Sequence, residues 1–274
     1  GRKDWAWKSQ PVEYMGPVLL DAFSTQGYLL PGTPLRLKYR KSQDDFYIVT
    51  GPEKKDVEYD FVIDKIGLYV PCINISPQLE PLLAMQTDQA PARYEFEGLD
   101  LRQFSVPKET LLRKFSRVYE GRLPQKIMVG FFKETAFSGQ RDETPLLTYP
   151  VDLRHIKLSL NGVAVREIRT NYDDGLYMEA YRRFLDWMDA NDKRYTVYHG
   201  LFAKGYRYSC FDLMENCPKG APCAEDMQTV GYLDITIQLG TKLPENCIMA
   251  VFSLAPETLE ITKDRVARHV RAVM

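Results

Sequence analysis

Histidine is scarce here: His155, His199 and His269 are the only three in 274 residues. Chemistry built on clustered imidazoles, metal-holding or nucleophile-activating, has little to draw on. Cysteine is modest and odd at five. Cys210, Cys217 and Cys223 gather around a Pro/Gly-rich loop, while Cys72 and Cys247 stand in strand-like segments. None of these spacings makes the close CxxC pairs of a zinc site, so the thiols read as structural or free. No GxSxG elbow, GxxxxGK[ST] loop, HExxH helix or GxGxxG turn occurs. Neither charge is in excess: Lys plus Arg number 36 against 37 Asp plus Glu, for a net charge of −1. A nucleic-acid binder needs a basic surplus to displace counterions, and that surplus is missing. No uninterrupted apolar run approaches the roughly 20 residues that span a bilayer. The chain opens Gly1-Arg2-Lys3-Asp4-Trp5, with neither Met nor an apolar signal segment, which fits trimming or proteolysis.

What is present is enough to build a core: 45% hydrophobic and 12% aromatic residues. The dominant period is two, the mark of half-buried strands. Leu35–Arg40, Val57–Ile63 and Leu233–Leu239 alternate cleanly, and His155–Leu160 does so into Asn161-Gly162, a hairpin turn signal. Phe46–Val49, Ile66–Val70, Tyr94–Phe96, Phe104–Val106, Tyr195–Tyr198 and Tyr206–Phe211 are further strand candidates. Ile127–Phe132 and Ile248–Leu254 read as strands buried on both faces. Prolines punctuate these runs at ends and corners, as a residue without an N–H should. Helix is rare. The spacing of Tyr177, Tyr181, Phe184 and Met188, with Ala180 and Leu185, predicts a helix over 175–189, capped by Asp173 and Asp174, its aromatic stripe packed on a sheet. A shorter helical turn is expected over 78–85.

An internal echo links the two halves. Leu123-Pro124-Gln125-Lys126-Ile127-Met128-Val129-Gly130-Phe131 resembles Leu243-Pro244-Glu245-Asn246-Cys247-Ile248-Met249-Ala250-Val251-Phe252, and Ile66–Val70 resembles Ile156–Leu160. Duplication of a unit of about 130 residues is the simplest account. A unit of that size with about eight short strands fits a jelly roll; the immunoglobulin alternative is smaller and carries a Cys…Trp…Cys pattern absent here. The expected fold is therefore mainly β: two tandem eight-stranded antiparallel jelly rolls, with one or two short connecting helices. The first, with an N-terminal arm, is expected over 1–138, and the second, with a C-terminal tail, over 139–274.

No residue stands out as catalytic, cofactor-binding or metal-ligating. His155 heads a strand and His199 precedes Gly200 in a turn; both read as ordinary polar positions. The acid pairs Asp44-Asp45, Asp173-Asp174 and Glu225-Asp226 could in principle serve glycosidase chemistry, but adjacent loop acids are usually solvated. Three basic clusters remain: Arg36, Lys38, Arg40 and Lys41; Arg113, Lys114 and Arg117; and Arg265, Arg268 and Arg271. The first, alternating with apolar residues on one strand, reads as a solvated face or edge protection or as a surface meeting acids of a neighbouring subunit, and the C-terminal arginines as a site for a polyanion or a partner chain, with the near-zero net charge favouring protein contact.

The order of motifs resembles one family. Tyr14-Met15-Gly16-Pro17-Val18-Leu19-Leu20-Asp21, then Leu35–Phe46, Glu120-Gly121-Arg122-Leu123-Pro124, Val129-Gly130-Phe131-Phe132 and Ala136-Phe137-Ser138-Gly139 follow in sequence. Ile156–Gly162, the tyrosine-rich stretch from Tyr172, Gly205-Tyr206, Phe211-Asp212-Leu213 and Leu259-Glu260-Ile261 complete the succession. It is similar to the capsid proteins of Maverick/Polinton elements and adintoviruses, over residues 12 to 265. The resemblance implies a virophage-like double jelly-roll major capsid protein, not an enzyme, needing no cofactor. It implies homotrimers that look hexagonal, capsomer–capsomer contacts, penton or minor capsid partners and a place in the virion. It implies no specific nucleic-acid contact and no membrane span. Relatives are cut near glycines by a cysteine protease, and Gly1 fits such an end or a cloning residue. Two other readings stay open. One is a penton-type single jelly roll, which would form pentamers. The other is a carbohydrate- or ligand-binding sandwich using Tyr195–Tyr198 and Tyr206–Tyr208 as stacking platforms, which would be monomeric.

Overall fold

The fold is described from a computed structural model covering residues 11–25, 27–48, 60–140, 143–145, 147–188, 197–214 and 230–270. In chain order the helices are α1 (Asp44–Tyr47), α2 (Leu79–Gln89), α3 (Glu134–Phe137), α4 (Met178–Trp187) and α5 (His199–Gly205). The strands are β1 (Ala92–Val106), β2 (Leu112–Arg122), β3 (Lys126–Lys133), β4 (Leu153–Leu160) and β5 (Val163–Arg169). They continue with β6 (Ser209–Asp212), β7 (Val230–Leu239), β8 (Cys247–Ile261) and β9 (Ala267–Val270). Among the described residues no helix is long and apolar enough to cross a membrane.

The strands form two antiparallel sheets, one in the order β1-β8-β3-β6 with β9 added to β8, the other in the order β2-β7-β4-β5. Numbered from β1 to β8, that interleaving is a jelly roll: each successive strand crosses to the other sheet until β4 and β5 form the hairpin at the far end. The mainly β, antiparallel class with few short helices is as expected. The described strands complete one roll between Ala92 and Ile261; the other roll of the expected pair is not among them. β3 hydrogen-bonds β8 and β6, so this roll draws strands from both sides of residue 138. By internal contacts the chain divides into a roll unit, Leu35–Ser76 with Leu99–Ala255, and a terminal unit, Gly1–Pro34 with Pro77–Gly98 and Pro256–Met274.

The two Leu-Pro copies have a different explanation from duplication. They are β3 and β8, paired antiparallel with Met128 opposite Phe252 and Phe131 opposite Met249. Both strands are buried neighbours in one sheet and face the same demands, so they carry the same residues. Ile66–Val70, in contrast, forms no strand, and neither do Leu35–Arg40 or 60–63. Phe46 lies in α1, and Val57–Tyr59 lies outside the described residues. Period-two patterning makes a strand only where a partner strand lies alongside it.

Alternation elsewhere does what it should. β7 buries Leu233, Ile235, Ile237 and Leu239, β4 buries Ile156 and Leu158, and β3 and β8 add Ile127, Val129, Phe131, Met249 and Val251. Asn161 and Gly162 take φ of 50° and 84°, the left-handed pair of a tight hairpin turn. Asn161 also accepts a 3.0 Å bond from the Tyr232 amide, fixing this turn to β7. Pro256 sits inside β8 without harm. The partner changes there, from β3 (ending at Leu254) to β9 (beginning at Thr258).

Helix α4 is shorter than expected. Its N-cap is Tyr177, and Asp173 and Asp174 sit in a preceding turn closed by the Asn171–Leu176 bridge. Ala180 and Phe184 are buried and Tyr177, Tyr181 and Leu185 pack on the core, but Met188 is exposed. Helix α5 completes the layer: Phe202 is fully buried, with ring centroids of Tyr181 and Phe184 at 5.3 and 5.4 Å. The layer reaches β3 through Tyr208, stacked on Phe184 at 5.8 Å and tilted on Phe132 at 6.3 Å. Gly130 makes room for that ring, since a Cβ there would lie 2.7 Å from Tyr208 Cε1. Gly130→Ala should therefore cost about 1–2 kcal/mol by overpacking, read as a lower urea midpoint at unchanged slope.

In the terminal unit the Tyr94 hydroxyl accepts from the Leu30 amide at 3.1 Å and donates to the Tyr28 carbonyl at 3.0 Å. Strand β9 is held by His269 Nε2, 2.7 Å from Glu257 Oε2, with its ring 6.1 Å from that of Phe96. Helix α2 falls where the shorter helical turn was expected and leaves Leu79, Leu82 and Met85 exposed.

Candidate assembly surfaces

The residues with reactive potential are spread through the fold and occupied by structural work. His155 is 3.1 Å from Glu167 across the β4–β5 hairpin, and His199 opens α5 with its ring edge-on to Tyr198. Asp44 and Asp60 share Lys41, whose ammonium lies 3.0 and 2.9 Å from them and 3.2 Å from the Phe61 carbonyl. Asp174 accepts from the Asn171 side chain, and Asp173 is 3.5 Å from Arg154. Glu225 and Asp226 lie outside the described residues, as do Cys217, Cys223, Arg271 and Tyr195. Cys72 is exposed; Cys210 and Cys247 are buried. Burial raises the Cys210 thiol far above its ordinary pKa and pushes Cys247 up to about 12, so neither is a ready thiolate. Among the described residues no group of His, Cys, Asp or Glu is placed to hold a metal ion.

The three basic clusters differ in kind. Arg113 and Lys114 on β2 precede the β-bulge that holds Arg117: Arg113 lies over the Phe115 ring at 5.0 Å, and Lys114 is 2.7 Å from Asp234 on β7. Burial alone would raise the Asp234 carboxyl, but the Lys114 hydrogen bond and the Arg117 amide outweigh it and hold the pKa below its ordinary value. Arg265 stands in the β8–β9 turn at φ 62°, and Arg268 lies on β9. Arg36, Lys38 and Arg40 are exposed and belong to no strand.

The tyrosines proposed as stacking platforms are drawn into packing instead. Tyr208 is enclosed by Phe184 and Phe132, and burial pushes its hydroxyl up to about 12. Tyr206 packs against the core, while Tyr198 stays exposed. Next to Tyr208, Arg207 lies 4.2 Å over the Tyr172 ring and donates to the Ala203 and Val151 carbonyls at 2.6 and 3.2 Å. Burial lowers its pKa and raises that of Tyr172. This half-buried cation ties the α4–α5 layer to the segment just before β4, a feature the sequence marks only by Arg207 lying among tyrosines.

The apolar surplus is on the outside. Between the sheets the roll is filled with side chains, whereas Phe61, Val62, Ile63, Ile66, Leu68, Tyr69 and Val70 are exposed, Val62 by 70% and Tyr69 by 83%. A run this dense on a folded chain marks a surface that expects a partner. The fold and the exposed patterning together define a side-chain-filled jelly roll that carries apolar residues on its outside.

No family model matches this sequence, and no curated protein does. Solved structures do. The chain is similar to the mavirus major capsid protein at 10% identity and a TM-score of 0.38, covering 67% of this chain and 42% of that one. It is similar to PBCV-1 Vp54, as fitted into a reconstruction of the virophage Sputnik, at 8% identity and a TM-score of 0.44, covering 73% and 55%. For the Sputnik virophage structure the values are 13%, 0.38, 68% and 40%. The matched region thus spans about half the length of these chains.

Proposed function

We propose that this chain is a structural capsid protein, working in a virion by assembling with copies of itself and catalysing no reaction. The observation that carries the reading is the distribution of apolar surface. The interior, where a jelly-roll enzyme or ligand carrier would keep a pocket, is packed with fully buried Ile127, Ile156, Leu158, Ile235, Ile237 and Met249. The unsatisfied apolar surface is displayed on strand-patterned segments outside the roll. A jelly roll alone implies no single function; a filled roll with outward apolar segments favours tiling. The resemblance of the motif order to that of Maverick/Polinton and adintovirus capsid proteins points the same way.

In its finer form the proposal is a homotrimeric, hexagonal-looking capsomer of an icosahedral shell, with penton or minor capsid proteins at the vertices. Obligate interfaces of that kind bury more than about 2,000 Å² and rest on apolar contacts, with charge choosing neighbours. Purified chain should run as a trimer by gel filtration with light scattering and show three-lobed or hexagonal particles in negative stain. A monomer across micromolar concentrations overturns the proposal, and a pentamer replaces the capsomer by a vertex role.

A further inference from the structure

We propose that residues Leu35–Arg40 of one chain add as a strand to the free edge of β1 in a second copy, at Arg93–Gly98. The inference rests on the self-assembly reading and names its surface. Leu35–Arg40 has the pattern of a two-faced strand: Arg36, Lys38 and Arg40 fall on one side, Leu35, Leu37 and Tyr39 on the other. It forms no strand, the three bases are exposed, and no ion pair of theirs exists among the described residues. Leu35 and Tyr39 are themselves exposed.

Among the described residues, four roll strands end a sheet with no neighbour on the outer edge: β1, β6, β2 and β5. β6 is four residues long, too short to receive six. β2 carries Arg113, Lys114, Arg117 and Arg122 against one acid, Glu120, and β5 carries Arg166 and Arg169 against Glu167. The acids of both are already held by their own bases, Glu120 by Arg117 at 3.4 Å and Glu167 by Arg169 at 3.2 Å, so neither edge offers an acid to a basic strand. β1 at Arg93–Gly98 is the acidic edge: Glu95 and Glu97 are exposed on one face, and Arg93 on that face is already neutralised by Glu260 at 2.9 Å. On its other face Tyr94 and Phe96 are buried and half-buried. A strand laid along this edge sets bases beside acids on one face and Leu37 and Tyr39 beside Tyr94 and Phe96 on the other. Such β-augmentation gives affinity through main-chain bonds and selectivity through alternate side chains.

The test uses charge exchange. The triple variant R36E/K38E/R40E and the double variant E95K/E97K are each compared with wild type by light scattering, after circular dichroism establishes that they fold. Each alone should associate at least about tenfold more weakly than wild type, several aligned ion pairs being lost and reversed. An equimolar mixture of the two should regain association as mixed oligomers. As a measurement independent of variants, carbodiimide treatment of mixed 14N- and 15N-labelled wild-type chains should join Lys38 to Glu95 or Glu97 between differently labelled chains. Wild-type oligomers unmoved by either variant, a mixture that fails to recover, or a crosslink confined within one chain overturns the pairing and leaves the capsid reading standing. A wild-type monomer overturns that reading itself.

Discussion

Phe202→Ala should be the most damaging single truncation in the aromatic layer, lowering stability by about 3–5 kcal/mol. Phe202 has no exposed surface and meets three rings, those of Tyr177 at 6.3 Å, Tyr181 at 5.3 Å and Phe184 at 5.4 Å. It projects from α5, which has only seven residues and cannot persist on helix propensity alone. Removing the ring takes away the helix's main anchor as well as its buried area. The void cannot close easily, because Tyr181 is held by a 3.1 Å bond from its hydroxyl to the Val197 carbonyl, and Phe184 is stacked on Tyr208. Urea denaturation should show a lower midpoint, and hydrogen exchange should quicken first in α4 and α5. Met188→Ala, at the exposed end of the same stripe, should stay within about 0.5 kcal/mol of wild type. Equal effects at the two positions would mean that the layer is not a packed unit.

The same layer indicates how far patterning carries. The 3.6-residue spacing of Tyr177, Tyr181 and Phe184 gave away a helix against a sheet, and period two gave away β4, β7 and the buried pair β3 and β8. These signals are local, and each is read against a core that the roll itself provides. What depends on partners was not legible. Leu35–Arg40 and Ile66–Val70 carry strand patterning as clear as that of β7, yet pairing is a property of two strands, and one string of residues cannot say which edge is vacant. The likeness between β3 and β8 misled for a related reason: neighbours in one sheet and equivalents in two rolls are selected by the same burial. β2 escaped notice because its bulge shifts the alternation, so that Phe115, Val118 and Tyr119 are all buried. Among the candidate surfaces, the basic residues of the Arg36 cluster were visible at once. The acidic edge they face in the proposed pairing becomes visible only when topology shows that β1 ends a sheet.

That bulge is where the second large effect is expected. Between Phe115 and Tyr119, β2 advances four residues while β7 advances only two, from Ile235 to Leu233. Arg117 turns to φ 53°, a conformation unfavourable for a side-chain-bearing residue, and its amide leaves the ladder. Asp234, only 2% exposed, supplies the missing acceptor: the Arg117 N–H donates to Oδ1 at 2.9 Å and Lys114 reaches Oδ2 at 2.7 Å. Asp234→Ala should cost about 2–3 kcal/mol at pH 7, chiefly by orphaning a hydrogen bond to a charged acceptor. Lys114 is exposed, so its contribution should fade with salt while the amide bond persists. The pH dependence has a definite sign. The folded carboxyl titrates below its ordinary value of 3.8, so its stabilisation is complete above that value and is lost as pH falls through the folded pKa. Asp234→Asn keeps an acceptor for Arg117 but no charge. The gap between wild type and Asp234→Asn in urea titrations should therefore be widest near neutrality and close below pH 3.8. A gap that does not change with pH would mean that the carboxylate's charge contributes nothing, leaving shape alone to hold the bulge.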